Sequence, residues 1–326
     1  MLLLVLLGQT APAGVRPIPA RSTTFTNPIR TGADPTIVWA KGMYHYSCTT
    51  GRDVRVWSAP TLGGLKDAEP KIVFRAVPGT RYGEHFWAPE FLMWRGRAYL
   101  YFAADDGKDE NHRMFLLRSK SSDPRGPYDF AGEVRTPEDQ WSIDGFAFPY
   151  RGGLYFFWSG WQSMQNRDQR IYAARMRDPM TIVGPRAEIS RPEFDWERRG
   201  WPVNEGPAPI ARGRAVSLTY SGAGGSTPYY ALGRLFNPTG DLLNPRAWIK
   251  ERAPVFAAGA GMFAPGHNSF FTARDGRPYL AFHAKREDRE GWGGRVSAVQ
   301  PVRFCRNGRV ELGQPEGWNA PRPEPR

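Results

Sequence analysis

The chain of 326 residues is poor in several residue types that mark common protein classes. It holds two cysteines, Cys48 and Cys305, and five histidines. Two cysteines cannot build a disulfide scaffold, and their separation fits no metal-site spacing. They are expected to be free and buried, or joined as one pair between the first and last parts of the chain. His45, His85, His112 and His283 show no ligand spacing among themselves, which argues against zinc. Lysine is scarce: only seven of the 44 basic residues are Lys, and the other 37 are Arg. The formal net charge of +12 is therefore an arginine charge, scattered among interleaved acids. Arg198-Arg199 is its densest pair. No nucleic-acid reader motif accompanies it, so no nucleic-acid partner is expected, although a weak attraction to acidic polymers stays open. Beyond the N-terminus no apolar run approaches the roughly 18 residues of a membrane span, which excludes a polytopic membrane protein. No stretch carries a helical stripe.

What is abundant is glycine (36), proline (30) and aromatic residues (12 Trp, 13 Tyr, 19 Phe). Such a chain is turn-rich, and with 40% hydrophobic residues it can bury a large core. At the N-terminus, Met1 to Leu7 forms an apolar run, followed by Ala11-Pro12-Ala13. This resembles the apolar core and cleavage site of an export signal, without the basic leader. Residues 1–14 are read as an export signal in preference to a disordered leader, which places the protein outside the cell or in the periplasm. The Pro-rich tail, residues 313–326, is expected to be disordered.

Five segments repeat one pattern of apolar alternation, a turn with Gly, and a second apolar or aromatic run. They are Thr36–Tyr46, Phe91–Phe102, Phe146–Phe157, Ala208–Leu218 and Ser269–Leu280. Each reads as a β-hairpin. Their turn glycines, taken as residues 42, 96, 153, 213 and 276, lie 54, 57, 60 and 63 residues apart. That period suits the four strands of a propeller blade, so the expected fold is all-β, a five-bladed β-propeller over residues 22–312. A β-sandwich would not explain the period.

In a propeller the inner strand of each blade lines the axis, and the residue before it lies at the channel mouth. Counting back eight or nine residues from each turn Gly reaches Asp34, Ala88, Asp144, Glu205 and His267. Three acids from distant parts of the chain are thus expected at one axial site. Asp123 and Asp178 precede prolines too, but they follow outer strands and read as turn residues. Clustered carboxylates in a half-buried cleft raise at least one pKa. A raised acid beside an ionised carboxylate is the apparatus of glycoside hydrolysis.

At these residues the chain resembles glycoside hydrolase family 43. The resemblance spans about Asn27 to Phe304 and rests on Ala33-Asp34-Pro35, Trp87-Ala88-Pro89-Glu90, Ile143-Asp144-Gly145, Asn204-Glu205-Gly206-Pro207 and Pro265-Gly266-His267-Asn268, in that order. The segment Arg191–Glu197 is most similar to the α-L-arabinofuranosidase branch. The resemblance implies an inverting hydrolase in which Asp34 is the general base, Glu205 the general acid, and Asp144 holds Glu205 and keeps its pKa raised. It implies Trp87 as an apolar wall of the sugar site and Arg295 as a substrate contact. It also implies His267 at the central site, beside a calcium ion or a water cluster. No cofactor is required, and calcium would be structural. The implied substrate is plant cell-wall arabinan or arabinoxylan, with terminal arabinose released. β-Xylosidase and endo-arabinanase are the alternatives within the family, and a non-catalytic sugar-binding propeller is the alternative outside it. Phe146 and Ala264 depart from the family pattern and are expected near the substrate site.

Overall fold

The computed structural model describes residues 23–326, so the expected export signal lies outside the described residues. Five antiparallel four-stranded sheets repeat around an axis. Their inner strands are Ala33–Ala40, Glu84–Trp94, Ser142–Tyr150, Asn204–Arg212 and Phe263–Thr272. Each inner strand touches those of the neighbouring blades, and the fifth touches the first, which closes the ring. This is the five-bladed β-propeller that the repeat predicts. Among the described residues the helices are short 3₁₀ turns, and no helix is long and apolar enough to cross a membrane.

Closure of the ring uses the beginning of the chain. Arg30–Thr31 pairs with Arg295–Pro301 and becomes the outermost strand of blade five. The Asn27 amide extends the ladder, since its Nδ2 donates to the Val299 carbonyl at 2.9 Å and its Oδ1 accepts the Val299 N–H at 3.0 Å.

The aromatic residues fill the seams between blades. Five separate apolar clusters correspond to the five blade-to-blade interfaces. Phe102 packs between blades one and two, Phe156 between two and three, Leu218 between three and four, Phe282 between four and five, and Tyr46 between five and one. Each fully buried apolar side chain of this kind contributes roughly 1.5–3 kcal/mol by leaving water. The aromatic excess in the sequence is the price of five seams where an ordinary domain has one core.

The hairpin turns follow from local chemistry. Lys41-Gly42, Arg95-Gly96 and Arg151-Gly152 all have positive φ at both positions, the geometry of a two-residue type I′ turn. In blade three the turn glycine is therefore Gly152, and Gly153 begins the next strand. The tail is not loose. Arg322–Pro323 pairs with Thr24–Phe25, and the Glu324 carboxylate accepts the Leu62 and Gly63 N–H groups at 2.9 and 2.7 Å. Composition misreads this segment because proline tolerates edge pairing and one carboxylate suffices to anchor it. Both cysteines are free, with Cys48 buried and Cys305 half-buried.

Candidate active site

The start of every inner strand carries the same distortion. Pairing with the second strand slips at Ala33/Thr36, Trp87/Glu90, Ile143/Phe146, Glu205/Ala208 and Gly266/Ser269. Inside each slip one residue has positive φ: Asp34, Ala88, Asp144, Gly206 and His267. A bulge re-aims a side chain, and strained backbone of this kind gathers at functional sites. Asp and His tolerate the left-handed region better than most residues. In blade four the equivalent position is Gly206, so Glu205 stands one residue earlier than the other acids. Counting from the turn glycine does not reveal this, because Gly213 occupies the first turn position in blade four.

The five slips bring Asp34, Trp87, Asp144, Glu205 and His267 onto one cavity of about 870 Å³, which Arg295, at the start of the third strand of blade five, also lines. The acids differ in their surroundings. Asp34 is buried, and its Oδ2 accepts the Thr49 hydroxyl at 2.5 Å. Its Oδ1 faces His283 Nδ1 at 3.2 Å, His267 Nδ1 at 3.5 Å and the Arg295 guanidinium at 3.6 Å. The Asp34 N–H donates to His283 Nδ1 at 3.1 Å. Burial alone would raise the Asp34 pKa, but His267, His283 and Arg295 together hold it far below the usual carboxylate range. Burial also lowers both imidazoles, His283 to about 4. At neutral pH the standing cation beside Asp34 is therefore Arg295.

Glu205 has no such escort. Its Oε1 accepts the Tyr230 hydroxyl at 2.6 Å. Burial raises its pKa to about 7, with the Asp34 charge adding to the rise and Tyr230 and Arg295 opposing it. Asp144 Oδ2 accepts the Gly206 N–H at 2.9 Å, which ties blade three to the residue after Glu205. Burial, then the Glu205 and Asp34 charges, push Asp144 well above its ordinary value. Two carboxyls in one site titrate as a pair, and the charge on either one favours the proton on the other.

Trp87 forms one wall and is stacked at 3.9 Å on His112, whose Nδ1 lies 3.1 Å from the buried Asp105 carboxylate. His267 sits deep, its N–H donating to Ser221 Oγ at 2.7 Å and its Nε2 without a protein partner. Calcium takes roughly six to eight oxygens. Beside His267 stand Asp34 Oδ1 and Ser221 Oγ, and the adjacent Asn268 Oδ1 is buried without a partner, which falls short of that number. The orphaned Nε2 suits a water. Among the described residues, three side chains with metal-ligand atoms within 4.8 Å of one another occur at Asp105, Asp109 and His112, away from His267. Asp123 and Asp178 cap turns, accepting the Arg125 and Met180 N–H groups at 2.9 Å. Phe146 is not on the substrate cavity: it lines a separate one of about 220 Å³ with Thr36, Phe91 and Phe270. Ala264 lines neither cavity.

Several site residues escape the sequence pattern. Thr49, Tyr230 and His283 lie on second and third strands or the connection between them, and no local motif marks them. Trp141 and Trp201 precede the inner strands of blades three and four, so the same register could have flagged them. Tyr230 and His283 stack nearly parallel, 5.6 Å apart and 4° between planes. They link the partner of Glu205 to the partner of Asp34.

Residues 25–310 match the family described as Glycosyl hydrolases family 43. The chain is 34% identical over 287 residues to an "Extracellular exo-alpha-(1->5)-L-arabinofuranosidase" of Streptomyces chartreusis, covering 85% of this chain and 87% of that protein. It is 36% identical to a protein of the same name from Streptomyces avermitilis, covering 86% of this chain and 60% of that protein. The crystal structure of an alpha-L-arabinofuranosidase from Lactobacillus brevis superposes with a TM-score of 0.84 at 30% identity, covering 91% of this chain and 98% of that one.

Proposed function

We propose that this chain, which belongs to glycosyl hydrolases family 43, removes terminal α-L-arabinofuranose from arabinan or arabinoxylan with inversion, using Asp34 as base and Glu205 as acid. The chain is a glycoside hydrolase, and the relatives' names support the arabinofuranosidase activity. The observation that carries the assignment of roles is the contrast in surroundings of two carboxylates on one cavity, Asp34 beside Thr49, two imidazoles and Arg295, and Glu205 beside the Tyr230 hydroxyl. Asp34 is held ionised, and Glu205 is held protonated to about pH 7.

The chemistry follows from that difference. Ionised Asp34 takes a proton from a water as its oxygen attacks the anomeric carbon. Glu205 gives its proton to the departing glycosidic oxygen as that bond breaks. Because Oε1 already accepts from Tyr230, Oε2 is the oxygen free to carry the proton. The cycle ends with Asp34 protonated and Glu205 ionised, and proton exchange with solvent restores both. Asp144 holds the backbone next to Glu205 and shares the site's proton. Arg295 and Trp87 would hold the sugar, the first by its donors and the second by its ring face. No step runs through a metal. The relatives named as extracellular support action outside the cytoplasm.

Release of arabinose from 4-nitrophenyl α-L-arabinofuranoside and from linear arabinan tests the activity. Proton NMR of the first-formed sugar is expected to show the inverted anomer. A retained anomer contradicts the roles given to Asp34 and Glu205. New reducing ends inside long arabinan would point instead to endo action.

A further inference from the structure

Two tryptophans at the cavity mouth are not used by this chemistry. Trp292 is 57% exposed and Trp201 37%, large values for indole rings. Their ring centres lie 6.2 Å apart, with planes at 51°. Both line the cavity that holds Glu205. The neighbouring turn is shaped to seat them. A Cβ on Gly224 would stand 2.7 Å from the Trp201 ring, and one on Gly225 would stand 3.1 Å from the Trp292 ring. The same Gly225 Cβ would lie 3.4 Å from Glu205 Oε1, so one glycine separates the indole from the acid.

The loop bearing Trp292 is anchored despite its exposure. Lys285 is buried, and its ammonium donates to the carbonyls of Ser226, Arg289 and Gly291 at 3.2, 3.0 and 2.7 Å. The Gly291 N–H donates to the Ser226 carbonyl at 2.8 Å. Arg295 Nε donates to the Trp292 carbonyl at 3.0 Å. An exposed ring on a fixed loop loses little freedom when a ligand lands on it. Lys285 thus ties the loop bearing Trp292 to the turn at Ser226.

The acid delivers its proton to the leaving oxygen, so groups that border the acid at the mouth also border the leaving group. We infer that Trp201 and Trp292 form a platform for the leaving group, taking the ring face of the next sugar of an arabino-oligosaccharide, with Lys285 as its positioning residue. Sugar faces present C–H groups that pack on an indole. This rests on the arabinofuranosidase reading above and adds a binding site to it.

The test compares kcat/KM on α-1,5-arabinotriose with kcat/KM on methyl α-L-arabinofuranoside, whose leaving group has no ring. For Trp292→Ala the ratio of the two is expected to fall roughly tenfold, the worth of one good ring contact. Trp292→Phe, which keeps a ring, should recover most of the ratio. Glu205→Gln should lower both values. An unchanged ratio in Trp292→Ala overturns the platform while leaving the hydrolase reading intact. A wild-type enzyme inactive on both arabinosides overturns the arabinofuranosidase reading and the platform with it.

Discussion

The two sides of the cavity floor each carry a carboxyl, Asp34 buried and Glu205 half-buried, yet their surroundings favour opposite states. On the side of blades one and five, Asp34 meets Thr49, two imidazoles and Arg295. On the side of blades three and four, Glu205 meets one phenol and a second carboxyl. Burial pushes both carboxyls toward the neutral form. What separates them is the number of donors and cations within reach, which decides that one gives a proton and the other takes it. Burial by itself would have made two acids and no base.

The comparison can be broken most forcefully by deleting each carboxylate. Asp34→Ala and Glu205→Ala should each lose on the order of 10²- to 10⁴-fold in kcat on arabinotriose. Azide, a nucleophile that needs no base, should restore turnover in Asp34→Ala, producing an arabinosyl azide detectable by mass spectrometry. It should not restore Glu205→Ala on the same substrate, because the leaving oxygen still lacks a proton. Rescue of both or of neither would erase the distinction drawn here. A smaller effect is expected from Asp144→Asn, roughly tenfold to a hundredfold in kcat. Glu205 is raised by burial and the Asp34 charge and not by Asp144, so the loss comes from Gly206, whose N–H keeps a weaker acceptor, and the alkaline limb of the pH profile should stay in place. A limb that moves to lower pH would show that Asp144 also raises Glu205.

Much of this was legible in the sequence because a propeller repeats its instructions. The hairpins at residues 36–46 and 91–102 share a period with three others, and the period places Asp34, Asp144 and Glu205 on one axis. The slip of Glu205 to the residue before the left-handed position was hidden, since a glycine one place earlier in the turn of blade four gives the same count. The escort of Asp34 was hidden for another reason. His283 reaches Asp34 through the packing of blade five on blade one, and Tyr230 reaches Glu205 from the connection after the second strand of blade four, and such contacts leave no local mark. The tail was misjudged because composition cannot report Glu324 meeting two N–H groups 261 and 262 residues away.

The smallest predicted effect is also the most direct test of the central claim, that Glu205 keeps its proton up to about pH 7 while Asp34 is ionised. It is the pH dependence of kcat/KM for the wild type beside Tyr230→Phe. Activity requires Glu205 protonated, so in the wild type it should fall as pH rises through about 7, the value burial gives that carboxyl. The Tyr230 hydroxyl favours ionised Glu205, so its removal should carry this limb to higher pH, with little change in kcat below it. A wild-type profile without an alkaline limb near neutrality, or a limb that stays in place in Tyr230→Phe, would contradict the account.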